Sequence, residues 1–261
     1  MDAPAVLAAF DQQIRRRPES DAGGGRIERA DGIVRSVSDS DGWNGVTWSD
    51  LDDATADAAI AAQIARFGRI ARSWEWKYYS YDAPMDLPAR LVAAGFGAEP
   101  AEALLVAEIP DLDLDTTAPP GIELRPVVDE HDADALVSVG DEVFGADHAA
   151  IGRHILAGVA QSPPTIEAVV AWARITPVSA ARVECNAGTD FAGLSGGGTL
   201  PSWRGRGVFR SLVAHRAALA AARGFRYLQV DASSDSRPIL KRLGFVQLAN
   251  TTPFVHQGAR G

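Results

Sequence analysis

One stretch constrains this chain more than any other: Gly196-Gly-Gly-Thr-Leu-Pro-Ser-Trp-Arg-Gly-Arg-Gly-Val-Phe-Arg210, running straight into the alanine-rich segment Ser211 to Arg223 that Gly224 closes. Phe191 to Thr199 reads as a glycine-diluted strand and Val208 to Arg223 as a helix, so the order is strand, glycine turn, helix. The first amides of a helix have no partner within it, and the helix dipole leaves that end partly positive. Successive free N–H groups at such a turn make a pocket for a pyrophosphate, and glycine lets the phosphate approach closely. Arg204, Arg206 and Arg210 add positive charge at the same place.

The surrounding pattern is α/β. Gly121-Ile-Glu-Leu-Arg-Pro126 is a short alternating strand, and Asp129 to Phe144 has helical spacing. Residues 147–160 suggest another helix; Thr165 to Trp172 and Val178 to Cys185 are β-branched-rich strands around a turn at Pro177. Arg226 to Ala232 is a strand, followed by a helix near 235–243, a Gly244-Phe245 exit and a final strand or two. Upstream, Asp111 to Gly121 reads as a linker ending in a Pro-Pro-Gly breaker. It predicts two domains, 1–118 and 119–261. Gly-rich residues 21–25 set off an N-terminal helix over about 2–17, whose Arg15, Arg16 and Arg17 read as a solvated helix end favoured by the dipole over an anion patch.

The two halves also repeat. When Gly95-Phe96 is laid on Gly244-Phe245 without gaps, Tyr78 meets Tyr227, Asp82 meets Asp231, Ala83 meets Ala232, Asp86 meets Asp235 and Leu91 meets Leu240. Both copies read as a strand, an Asp, a turn, a helix and Gly-Phe, the pattern of tandem related domains.

Composition bounds the rest. A net charge of −9 argues against general nucleic-acid binding and mildly favours a cationic substrate. Cys185 is the only cysteine, so there is neither an internal disulfide nor a cysteine-built zinc site, and no metal is expected. No apolar run approaches the roughly 18–20 residues that span a bilayer. The first residues fail as a signal peptide, because the basic residues follow the apolar patch. The expected address is the cytoplasm, with no membrane partner and nothing that indicates an oligomer.

With these residues in view the sequence resembles the GNAT superfamily of N-acetyltransferases, whose signature is Gln/Arg-x-x-Gly-x-Gly/Ala between a strand and a helix. Arg204-Gly-Arg-Gly207 fills the first four positions, Pro201 precedes it, and Gly224 to Ala232 with Ser233 to Phe245 looks like the half that closes the cofactor site. The resemblance implies a mixed sheet with flanking helices, acetyl-CoA as co-substrate, and transfer to a primary amine, on a small molecule, by direct aminolysis. It implies that Gly198 and Thr199 pair with the pantetheine arm. Gly205, Arg206, Gly207, Val208, Phe209 and Arg210, with Arg204, would hold the pyrophosphate. Ser233 falls where the family's asparagine stands. It further implies a splay between strands 191–199 and 226–232 that admits the thioester, with the acceptor entering past helices 129–160.

Two departures stand out. Phe209 occupies a position normally Gly or Ala, so its ring must point away from the phosphates or reshape the turn. Leu240 stands where many members carry a tyrosine acid, so the thiolate must be handled by another group, water or solvent. The candidates for the proton work are Glu184, near the end of its strand, Asp231 and Tyr227. Glu184 could equally be a solvated strand residue and Asp231 a turn cap repeated from Asp82. Tyr227 and His256 read as packing or surface residues, and Cys185 has no visible His partner.

Residues 26–110 resemble the same fold without its phosphate loop. Before the helix Ala54 to Arg72 stand Asp50, Asp52 and Asp53 and no glycine, so this half should not bind CoA there. Trp74 to Tyr81 reads as a strand packing aromatics into a core and an inter-domain seam. Alternatives remain: acetylation of a protein N-terminus or lysine, or a non-catalytic CoA-binding or ligand-sensing module, which Leu240 and Phe209 favour. A Rossmann reading fails for want of a third glycine and a following strand with its acid.

Overall fold

The computed structural model describes residues 1–18, 25–38, 42–70, 73–112, 117–145 and 147–258. Most of the expected Gly-rich break at 21–25, the middle of the expected linker and the end of the helix expected to reach Arg72 lie outside them. The chain divides into two compact units. The first is Met1–Leu105, Asp231–Lys241 and Val246–Gly261; the second is Val106–Val230 and Arg242–Phe245.

The elements run α1 (Ala3–Phe10), β1 (Arg26–Ala30), β2 (Ile33–Val37), β3 (Gly45–Ser49), α2 (Ala56–Phe67), β4 (Ser73–Tyr79), α3 (Leu87–Ala93), β5 (Gly97–Ala98) and β6 (Glu102–Glu108). They continue with β7 (Ile122–Pro126), α4 (Glu130–Phe144), α5 (Ala149–Val159), β8 (Ile166–Ala173), β9 (Thr176–Cys185) and β10 (Phe191–Thr199). The last are α6 (Val208–Ala222), β11 (Tyr227–Ala232), α7 (Arg237–Arg242) and β12 (Val246–Gln257).

In the first unit β1, β2 and β3 form an antiparallel meander. β3 then runs parallel to β4 for only Gly45↔Glu75 and Val46↔Trp76. β4 pairs antiparallel with β12, from Thr251↔Tyr79 to Gln257↔Ser73. The last strand of the chain therefore belongs to the first unit. The expected boundary at 118/119 does not coincide with this division, whose first break falls at Leu105/Val106, inside β6.

Its core joins α2 and α3 to the sheet through Ile60, Phe67, Trp74, Trp76, Leu87, Leu91, Phe96 and Phe254. Trp74 stacks on Phe67 at 4.4 Å and meets Phe96 edge-on at 4.9 Å. Burying one such ring is worth about 4–6 kcal/mol at about 25 cal/mol per Å2. Trp74 and Trp76 are buried in the first unit's core, as the reading of Trp74 to Tyr81 as a core strand expects; Tyr78 meets Phe254 of the same unit at 6.0 Å.

α1 starts with Asp2 accepting the Ala5 N–H and a proline in its first turn, then loosens into a π-helical turn, Asp11–Arg15. Arg15 is not a solvated helix end. Its guanidinium is buried, pairs both Nη atoms with the Asp82 carboxylate at 2.8 Å, donates to Thr47 O at 3.1 Å and lies 4.1 Å over the Tyr79 ring. Arg16 covers Trp48 at 4.2 Å.

In the second unit β8 and β9 pair antiparallel, with β7 beyond β8 and β10 beyond β9. The hairpin turn sits at Arg174, where φ is +60°, while Pro177 lies inside β9 opposite Trp172, at a bulge. A strand tolerates proline where the ladder is already broken. Alternation then sorts the faces. Ile166, Ala168, Val170, Trp172 and Ala180 pack under α4 and α5. Val169, Ala171, Val178 and Ala181 pack under Val208 and Leu212 of α6.

Candidate functional site

β10 is the spine of the site. It runs parallel to β11 only at Phe191↔Tyr227, Ala192↔Leu228 and Gly193↔Gln229. Among the described residues, Leu194 to Thr199 continue without a partner on that side, so the two strands part at Gly193. On its other side β10 follows β9 to Ser195↔Arg182, slips, and resumes at Gly198↔Ala180. The slip leaves Gly196 and Gly197 as a bulge in the middle of the unpaired stretch.

The chain leaves Thr199 through a 3-10 turn at Pro201–Trp203 and reaches α6 by way of Gly205 (φ +74°) and Gly207 (φ +82°), both left-handed. Only glycine takes that conformation without strain. Gly207 caps α6 with no side-chain hydrogen bond, and the first backbone bond of the helix is Ser211 N–H to Gly207 O. The amides of Val208, Phe209 and Arg210 therefore precede the ladder at an exposed turn. Amides free of the helix ladder, beside three arginines, fit a pyrophosphate. Arg206 lies 4.6 Å over the Trp203 ring, and the Arg204 Nε–H donates to Thr199 O at 3.2 Å.

Phe209 resolves the first departure. Its ring turns away from the loop onto β10, where a Cβ on Gly197 would lie 3.2 Å from it. Bulky Phe209 and bare Gly197 are complementary, which leaves the turn its shape. Gly198 faces the other way, against Val143 and Phe144 of α4, at 3.0 and 3.3 Å from a Cβ. Its carbonyl accepts from Ser179 Oγ at 2.6 Å, as Thr199 O does from Arg204. A pantetheine arm here would use the second lone pair of each carbonyl, or the amides.

Glu184 stands opposite Gly193, the rung at which β10 and β11 part. By alternation from Ala180 its side chain is on the α4/α5 face, and its Oε1 accepts from Arg182 Nε at 3.1 Å. Tyr227 lies at the closed end of the fork, buried and stacked on Phe191 at 4.9 Å, and burial raises its hydroxyl pKa. That is packing. Asp231 and Ser233 fall in the first unit. Asp231 is ion-paired to Lys77 at 3.2 Å, and its other oxygen is buried without a hydrogen bond among the described residues. Ser233 Oγ accepts from the Ser236 N–H at 3.4 Å, as a turn cap. His256 packs on Phe96 at 4.9 Å and Trp74 at 5.8 Å, and burial lowers its pKa. Leu240 and Cys185 are buried.

Two groups escaped the sequence reading. Arg216 of α6 is 2% exposed, with Nε on Leu212 O and Nη1 on Arg182 O, both at 3.0 Å. Burial, with Arg182 beside it, pushes its pKa down to about 9. On the α4/α5 side, His148 Nδ1 lies 2.9 Å from Asp141 Oδ1, and its ring is 5.7 Å from that of Phe144. Only the Gly196–Gly198 run hinted at a side chain approaching β10 from α6. Among the described residues no group of three or more His, Cys, Asp or Glu could hold a metal. No helix among them is long and apolar enough to cross a membrane.

No family model matches the chain, and no curated relative matches it. Solved structures do. A GCN5-related N-acetyltransferase from Kribbella flavida is similar at TM-score 0.71 and 20% identity, over 99% of this chain and 96% of that one. A functionally unknown conserved protein from Staphylococcus epidermidis is similar at 0.67 and 14%, over 91% and 96%. A tandem GNAT protein from the clavulanic acid biosynthesis pathway is similar at 0.57 and 12%, over 88% and 79%. The chain has the GNAT fold, a mixed sheet with flanking helices.

Proposed function

We propose that the chain is a tandem GNAT N-acetyltransferase whose second unit transfers an acetyl group from acetyl-CoA to the primary amine of a small molecule in the cytoplasm. The observation that carries this reading is the coincidence of two features on one strand: the fork of β10 from β11 beyond Gly193, and the exposed turn at Gly205 to Arg210 with its free amides. The first suits a thioester arm, the second a pyrophosphate, and they are joined by six residues of unpaired strand and one short turn. An anion at the turn gains the amides, the dipole and the nearby arginines together.

The residues then divide the labour. The turn binds, and Gly198 and Thr199 orient the arm. Glu184, at the fork, accepts the amine's proton directly or through water as the C–N bond forms and the C–S bond breaks, its electron pair leaving with sulfur. The acidic composition of the chain favours a cationic acceptor.

Two measurements test the reading. Thiol release from acetyl-CoA across a panel of primary amines should appear with at least one of them, and calorimetry should give one CoA per chain. Saturable CoA binding with no thiol release from any amine would favour a sensing module instead. Two equivalent CoA sites would overturn the assignment of the first unit as degenerate.

A further inference from the structure

Arg216 is a buried cation without a counter-ion. No carboxylate among the described residues lies within ion-pair distance of it, and the one charged group that bears on it is another cation, Arg182. A lone buried charge is expensive, and an apolar side chain of similar length is commonly neutral or better for stability. Yet the guanidinium has a defined seat. Nε and Nη1 donate to Leu212 O and Arg182 O, the latter on the last β9 residue before the register slips. Nη2 makes no hydrogen bond among the described residues and lies 3.5 Å from where a Cβ of Gly197 would be. At the bulge, where β10 has no strand partner on its β11 side among the described residues, the strand presents only glycine between that nitrogen and the fork.

Aminolysis of a thioester ends with an electron pair on sulfur. A fixed cation can answer that need without a proton donor. Resting on the acetyl-CoA reading above, we propose that Arg216 is a catalytic residue: its Nη2 reaches through the Gly196–Gly198 bulge to stabilise the negative charge that the departing CoA sulfur acquires. No proton need be transferred; the charge is met in a water-poor site by a donor already in place.

Product CoA supplies a test that needs neither an acceptor nor turnover. The ultraviolet absorbance of the thiolate is followed against pH for CoA bound to the full chain and for CoA free in solution. The charged and titratable groups that bear on Arg216 are Arg182, through it Glu184, and His215 beside it on α6, whose pKa burial lowers, away from the thiol's range; β10 offers glycines, and Phe209 packs on it from α6. The bound thiol should show an ionisation constant at least about tenfold above that of free CoA. Arg216→Met should return it to the free value or below, with CoA affinity by calorimetry unchanged and a melting temperature equal to or above the parent's. Arg216→Lys should keep part of the effect, and it decides the matter if the methionine variant does not fold. A bound thiol that ionises alike in parent and folded variant overturns the proposal, as does a folded lysine variant at the free-CoA value. If the parent binds no CoA, the acetyl-CoA reading fails first and takes this inference with it.

Discussion

The turn that enters α6 and the turn that enters α2 are built on the same plan, a short parallel strand pair followed by a helix, and they treat their amides in opposite ways. Before α2, Asp52 Oδ1 accepts from the N–H of Ala54 at 3.0 Å, the N–H of Thr55 at 2.9 Å and Thr55 Oγ1 at 2.7 Å. These bonds hold its carboxyl below the usual range. Before α6 no side chain does this. Neither helix has a side-chain cap on its own first amides; what the first turn has and the second lacks is a carboxylate seated on the amides just before the helix. The strands differ likewise. β3 beyond Val46 is engaged by the N-terminal segment, through Arg15 Nε to Thr47 O and Thr47 Oγ1 to Arg15 O, whereas among the described residues no strand pairs with β10 beyond Gly193 on its β11 side.

The comparison breaks most sharply at Gly207. Gly207→Glu forces a side chain into φ +82° and puts a carboxylate where the second turn has none, making it resemble the first. CoA affinity should fall at least about 100-fold; unchanged calorimetry would remove the turn from the site. Next in size is a truncation. The fragment 118–261 carries β12 without its partner β4 and should aggregate or stay partly unfolded; a soluble, monomeric fragment with full thiol-release activity would show that the first unit is dispensable.

Arg15→Met leaves Asp82 buried and unpaired and should cost about 3–5 kcal/mol, read as a drop in the denaturant midpoint with CoA binding retained. The smallest effect concerns Glu28, which Arg66 above all, then Arg35 and Arg26, hold down to about 2. A carboxylate with a depressed folded value stabilises above its unfolded value, and that contribution is lost as pH falls from about 4.5 toward 2. Glu28→Gln should flatten the acid limb of the stability curve in that window.

The second unit was the legible one. Its helices and strands fall within about two residues of the positions that periodicity and breakers predict, because each element there is specified locally. What escaped was set by distant partners. Arg15 looked solvated because Asp82 stands 67 positions away. Arg216 looked like any arginine on an alanine-rich helix, and only the glycines it approaches give it away. The domain boundary was placed at the strongest local breaker, but no local signal says which unit the final strand will join. The repeat was legible and useful: Gly95 and Gly244 both adopt positive φ just past α3 and α7. Even so, its paired acids Asp82 and Asp231 found different cations.

The membership of β12 in the first unit has a consequence for synthesis on the ribosome. Thr251 donates its hydroxyl to Tyr78 O across a separation of 173 residues. At about 5–20 residues per second, one edge of β4 waits about 10–35 s for its neighbour. During that interval the whole second unit emerges, while Ser73–Tyr79 presents unpaired N–H and C=O groups beside buried tryptophans. The half made first is thus the half finished last, and until β12 docks, the first unit carries an open strand edge of the kind that pairs with neighbouring chains.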